Sequence, residues 1–156
     1  MPAPNINTQT MRLLTAQDRD PFLSHLLRLG PKGRYYRFSM TQTDDMVRAY
    51  VARTFQPANV YIGYFDQDIL RGVVEIHCMD DACHKAELAF SIEWGFRGKG
   101  LGAQLFVAAL EEARRRSVRL LHIHCLAHNF AMLALLRRFH ARLQFEDNEV
   151  SAELAC

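Results

Sequence analysis

The spacing of apolar residues changes character near position 60 of this 156-residue chain. Before that point, apolar positions recur at helical intervals. Asp20-Pro21 opens a helix whose stripe is Phe22, Leu23, Leu26, Leu27 and Leu29, ending at Gly30. Thr43-Asp44-Asp45 reads as a capped, acid-biased start for a second helix that carries Met46, Val47, Tyr50 and Val51. A short strand over 11–14 precedes both, and residues 1–7 read as a loose tail. The stretch 31–40, with Arg34, Tyr35, Tyr36, Arg37 and Phe38, reads as irregular.

Beyond position 60 the period falls to two. Residues 60–65 and 69–78 flank the polar turn Asp66-Gln67-Asp68 as a β-hairpin, and 86–92 follows as a third strand. A helix over about 100–116 places Leu101, Leu105, Ala109 and Ala113 on one face. A strand over 119–125, a helix over 129–140 and a strand pair within 143–154 complete the chain. No repeat or linker interrupts this order, which predicts one α+β domain over 1–156 with a mixed sheet and one parallel crossover.

Composition narrows the function classes. With 49% hydrophobic and 23% charged residues, the chain is able to fold around a core. A net charge of +2 offers no bulk attraction to nucleic acid or membrane. The apolar runs 105–110 and 130–136 are too short to span a bilayer. Met1-Pro2-Ala3-Pro4-Asn5 has neither a basic nor an apolar leader region, so a cytoplasmic protein with its four cysteines as free thiols is expected. His77, Cys78, Cys83 and His84, with His122, His124, Cys125 and His128, lack the tight ligand spacing of a zinc knuckle, and no metal site is expected.

The most informative stretch is Arg97-Gly98-Lys99-Gly100-Leu101-Gly102, with Ala103, between an apolar strand and a long helix. Glycines let the backbone approach a ligand closely. The helix that starts there offers unpaired amides and a partial positive charge, an arrangement suited to a phosphate or pyrophosphate. Gly98, Gly100 and Ala103 formally satisfy a dinucleotide fingerprint, but strands precede the motif and no carboxylate stands at 122–125, where that fold requires one.

Arg97-x-x-Gly100-x-Gly102 after a strand, with Asn129 just after the next strand, resembles the GNAT superfamily of acetyl-CoA-dependent N-acetyltransferases. Segments 34–38, 72–75, 86–90 and 129–132 resemble the GNAT domain of bacterial protein lysine acetyltransferases more closely. The resemblance implies a single twisted, mixed, mostly antiparallel sheet with helices on both faces. It implies that Arg97, Gly98, Lys99, Gly100, Leu101, Gly102 and Ala103 hold the pyrophosphate of acetyl-CoA. Phe90, Ser91 and Ile92 would pair with its pantetheine arm and Asn129 would contact the cofactor, while a helix N-cap is an equal alternative for that asparagine. Tyr35 and Tyr36 would flank the acceptor entrance.

Amine acetylation needs an unprotonated amine, so a general base is expected. Glu87, inside an otherwise apolar strand, is the first candidate and Glu75 the second. Two departures from the family pattern stand out. Leu136 occupies the position where many relatives place an acidic tyrosine, and His140-Ala141 replaces a Gly-Phe pair. The resemblance implies transfer to an amine, foremost a protein lysine. A small-molecule amine, or an acetyl-CoA-sensing domain without turnover, stays open, as does pairing of two copies into a homodimer.

Overall fold

Alternation along each strand sorts side chains to two faces of a sheet, and each face is covered by its own helices. The computed structural model describes residues 9–156, so the expected tail over 1–7 lies outside the described residues. The strands are β1 (Gln9–Leu13), β2 (Val60–Asp66), β3 (Ile69–Cys78), β4 (Lys85–Ile92), β5 (Leu120–Leu126), β6 (Arg142–Glu146) and β7 (Glu149–Ala155). The helices are α1 (Arg19–Arg28), α2 (Gly30–Phe38), α3 (Asp44–Thr54), α4 (Leu101–Arg115) and α5 (Phe130–Arg138). The strands form one sheet in the order β1-β2-β3-β4-β5-β7-β6. Among the described strands only β4 and β5 run parallel, joined by the crossover through α4.

One face of the sheet presents Tyr61, Phe65, Leu70 and Val73 to Phe22, Leu26, Val47 and Val51 of α1 and α3. The other presents Val74, Ile76, Leu88, Leu121 and Ile123 to Leu105, Phe106 and Ala109 of α4 and to Leu133 and Leu136 of α5. Each fully buried Leu or Phe contributes about 1.5–3 kcal/mol relative to exposure, so the two clusters dominate stability. The stacked rings of Phe90, Phe106 and Phe139 carry the α4 side of this core to the end of α5, with centroids 5.5 and 4.3 Å apart. There His140 takes a left-handed conformation, φ 59°, and Ala141 N–H reaches Leu136 O at 3.0 Å, so histidine performs the helix-ending role usually given to glycine.

Two expectations are corrected. Residues 30–38 are helical, although two glycines make the segment read as irregular. Pro31 falls in the first turn, where its fixed φ suits a helix. Gly33 lets the backbone close on Leu29, whose Cβ would stand 3.0 Å from a Cβ at position 33. Cys78 and Cys83 are joined in a disulfide across the β3–β4 turn, with Cα atoms 4.9 Å apart, rather than being free thiols. The hairpin folds its two ends together, a proximity that five-residue spacing does not disclose. Cys125 and Cys156 are free.

Candidate active site

The parallel pairing of β4 and β5 is short. It runs from Lys85 opposite Leu120 to Leu88 opposite Ile123, while β4 continues to Ile92 and β5 to Leu126. Beyond Leu88 the strands therefore part. The direction of each β4 amide follows from the bonds at the strand ends. Met79 N–H donates to Lys85 O at 2.9 Å and Glu93 N–H to Arg71 O at 3.0 Å, which commits odd-numbered residues to the β3 side. Leu120 N–H donates to His84 O at 3.1 Å, which commits even-numbered residues to β5. Phe90 and Ile92 consequently aim their N–H groups into the opening, where no strand stands opposite. The Ile92 carbonyl is taken by Arg97 Nε at 3.1 Å.

The opening widens into a cleft of about 700 Å³, and the start of α4 forms part of its wall. The first helical bond of α4 runs from Gln104 N–H to Gly100 O at 3.2 Å. No side chain caps the helix and no acid stands in its first turn, so the amides of Leu101, Gly102 and Ala103 face outward without an intrahelical partner. Gly98 and Gly100 have φ of +73° and +78°, and a Cβ at either would meet nothing within 4 Å. Glycine is required there by conformation, and the space beside it is open. Open space, outward amides and a parted strand edge fit an elongated ligand with a charged phosphate end, which acetyl-CoA is.

The sequence-predicted residues are largely gathered here. Phe90, Ser91, Ile92, Arg97, Gly98, Gly100, Leu101, Gly102, Ala103 and Asn129 line the cleft, with Glu87 and Tyr36. The expected pairing of Ser91 with the pantetheine arm is corrected, because its amide is turned to β3. Lys99 and Tyr35 are not in its wall: Lys99 Nζ lies 5.6 Å from the Phe96 ring centre, and Tyr35 stacks on His128. The Asn129 side chain accepts Met132 N–H at 3.2 Å, the N-cap role, while also reaching the cleft. Leu136 is fully buried in the core, so that position presents no acid to the cleft. Cys125 lines the cleft, but burial pushes its thiol up to about 11 and leaves it protonated and inert.

The two candidate carboxylates differ sharply. Glu75 is fully buried. Its Oε2 accepts Arg37 Nε and Nη2 at 3.0 and 2.6 Å, and its Oε1 accepts the Tyr50 hydroxyl at 2.6 Å and meets His77 Nε2 at 3.0 Å. Burial alone would raise its pKa, but Arg37, His77 and Tyr50 outweigh it and hold the carboxyl at about 2. Such a group is a poor proton acceptor near neutrality. Glu87, opposite His77 in the ladder, is half-buried at the cleft and has no hydrogen-bond or ion-pair partner among the described residues.

Several cleft residues escaped sequence reasoning: Phe38, Ser39, Met132, Leu135 and Arg138. Apolar spacing on α5 would have flagged Met132 and Leu135, since they share one face. The others carry no local signal. His122 lies 3.8 Å from Glu153, and His124 meets Ser151 Oγ at 3.3 Å; both belong to a polar stretch of sheet beside the cleft.

Comparison with known proteins shows the family and the fold. Residues 9–142 match the family model described as acetyltransferase (GNAT) domain. No curated protein sequence matches the chain. Among solved structures, the GNAT domain of Streptomyces lividans PAT superposes with a TM-score of 0.78 at 20% identity, covering 94% of this chain and 89% of that one. A ribosomal-protein-alanine N-acetyltransferase from Brucella melitensis gives 0.72 at 16% identity, covering 94% and 99%. The PaiA N-acetyltransferase of Thermoplasma acidophilum, solved in complex with coenzyme A, gives 0.71 at 12% identity, covering 95% and 99%. The chain belongs to the GNAT acetyltransferase family, whose members draw their acetyl group from acetyl-CoA.

Proposed function

We propose that this chain transfers an acetyl group directly from acetyl-CoA to an amine, with the ε-amine of a protein lysine as acceptor and Glu87 as general base. The observation that carries the reading is the pattern of unsatisfied polar groups around one cleft. Phe90 and Ile92 offer strand amides, Leu101 to Ala103 offer helix amides, and Glu87 offers a carboxylate without a partner among the described residues.

Acetyl-CoA supplies the activated acetyl group and a thiolate that leaves readily without a dedicated acid, in keeping with Leu136. The chain's residues would divide the remaining work. Leu101, Gly102 and Ala103 bind the pyrophosphate with their amides, with the α4 N-terminus favouring its charge. Phe90 and Ile92 orient the pantetheine arm, and one of their N–H groups steadies negative charge as it builds on the thioester oxygen. Glu87 removes the proton from the amine, directly or through water. Tyr36 shapes the acceptor side of the cleft.

Lysine as acceptor is supported by the resemblance of 34–38, 72–75, 86–90 and 129–132 to protein lysine acetyltransferases. Mass spectrometry of a protein and amine library incubated with the chain and acetyl-CoA tests this reading. Acetylated lysine side chains are expected. Acetylation confined to small amines would move the acceptor class, and binding of acetyl-CoA without any product would favour a sensor.

A further inference from the structure

Ser91 stands between the two residues whose amides face the opening, and its side chain is turned toward α1. Its hydroxyl lies 2.8 Å from His25 Nε2, and His25 Nδ1 lies 2.9 Å from Glu93 Oε2. All three are buried, with exposures of 3%, 0% and 6% for Ser91, His25 and Glu93. An ionised carboxylate only accepts, which assigns the imidazole proton to Nδ1 and leaves Nε2 to accept the Ser91 hydroxyl. Glu93 is anchored further by Arg28 Nε at 3.0 Å and Arg71 Nη1 at 2.9 Å, and Arg28 also donates to Leu70 O at 2.8 Å.

Serine, imidazole and carboxylate in this sequence have the order of a nucleophilic triad. Two features argue against that use. The Ser91 hydroxyl is buried against α1, and two arginine charges on Glu93 reduce its capacity to stabilise a charged imidazole. Burial likewise pushes the His25 pKa down, despite Glu93, so the ring is neutral. A neutral, fully paired relay of this kind fixes geometry.

The place it fixes is specific. After Leu88, strand β4 loses β5 as a neighbour, and the stretch from Phe90 to Glu93 is held by β3 on one edge and by this relay from α1. We infer that His25 is a positioning residue: through Ser91 and Glu93 it locks the segment of β4 whose Phe90 and Ile92 amides hold the thioester. The inference rests on the acetyltransferase reading above.

Ser91→Ala tests it, because the change removes one hydroxyl and leaves little empty space. Turnover is measured with acetyl-CoA and a lysine peptide or spermidine, alongside coenzyme A affinity by calorimetry and the melting temperature. Losing an oxyanion donor outright lowers kcat by about 10²–10³, and loosening one is expected to lower it by about tenfold. KM for acetyl-CoA and coenzyme A affinity should stay within about twofold, since the α4 amides are untouched. Ser91→Thr, which keeps the hydroxyl, should restore kcat, and His25→Asn should match Ser91→Ala. Wild-type kcat in Ser91→Ala, or loss only in proportion to unfolding, would overturn the inference while leaving the enzyme assignment standing. Acetyl recovered covalently on Ser91 would overturn it by making that serine a nucleophile. A wild-type chain inactive on both amines would overturn the function and this inference together.

Discussion

Glu75 and Glu87 sit on adjacent strands and the same face of one sheet, yet their surroundings are opposite. Glu75 is enclosed by α1–α3 helices and pairs with Arg37, Tyr50 and His77, so all its acceptor capacity is used inside the protein. Glu87 stands where those helices give way to the cleft, and among the described residues nothing pairs with it. The same division separates the amides. Those of β4 up to Leu88 face a partner strand, and those of Phe90 and Ile92 do not. Polar groups satisfied by the fold hold it together; polar groups the fold leaves unsatisfied, in a place a ligand reaches, are where chemistry is available.

The largest effect should come from the satisfied carboxylate. Glu75→Gln leaves Arg37 buried without its counter-charge, and breaking such a pair destabilises by about 3–5 kcal/mol. Urea denaturation reads this directly, with turnover per folded molecule unchanged. The pH dependence has a definite sign. The folded pKa of about 2 lies below the ordinary 4.5, so pairing adds stability above pH 4.5 that fades as pH falls from 4.5 to 2. That part of the acid limb should vanish in Glu75→Gln. If the variant instead lost turnover without losing stability, Glu75 would be the base and the contrast would fail.

Glu87→Gln should show the reverse pattern. Loss of a general base lowers kcat by about 10²-fold or more, while coenzyme A affinity and melting temperature stay near wild type. Gly100→Asp comes next. It places a side chain at φ +78° and a negative charge beside the proposed pyrophosphate position, and calorimetry should show coenzyme A binding about tenfold weaker. Gly100→Asn, which tolerates that conformation without charge, should lose less. Asn129→Ala is the smallest. Its side chain is satisfied as an N-cap, so about 1 kcal/mol of stability should be lost, with coenzyme A affinity changed by less than about threefold. A larger loss of affinity would show that the asparagine turns from its cap to the cofactor.

What the sequence disclosed was local. The caps at Thr43 and Asn129, the hairpin turn at 66–68 and the glycine turn before α4 each depend on a few adjacent residues, and each falls where the pattern places it. What it concealed was long-range. The parting of β4 from β5 is a matter of register between strands separated by the whole of α4. Arg37 reaches Glu75 across 38 residues and His25 reaches Glu93 across 68, so neither pairing leaves a trace in spacing. For the same reason Glu75 and Glu87 look alike as acids in apolar strands until their neighbours are known. Helix α2 was obscured differently: Gly30, Pro31 and Gly33 are poor helix formers, and packing against Leu29 overrides them.

Amide NMR with titrated coenzyme A addresses the central claim most directly, because the claim concerns particular N–H groups. The account predicts the strongest shifts at Phe90, Ile92, Gly98 and Gly100 through Ala103, with the amides paired to β3, Ala89 and Ser91, moving less. Shifts concentrated elsewhere, for instance around Asp80, Asp81 and Arg116 in a separate hollow of the surface, or none at saturating ligand, would contradict it.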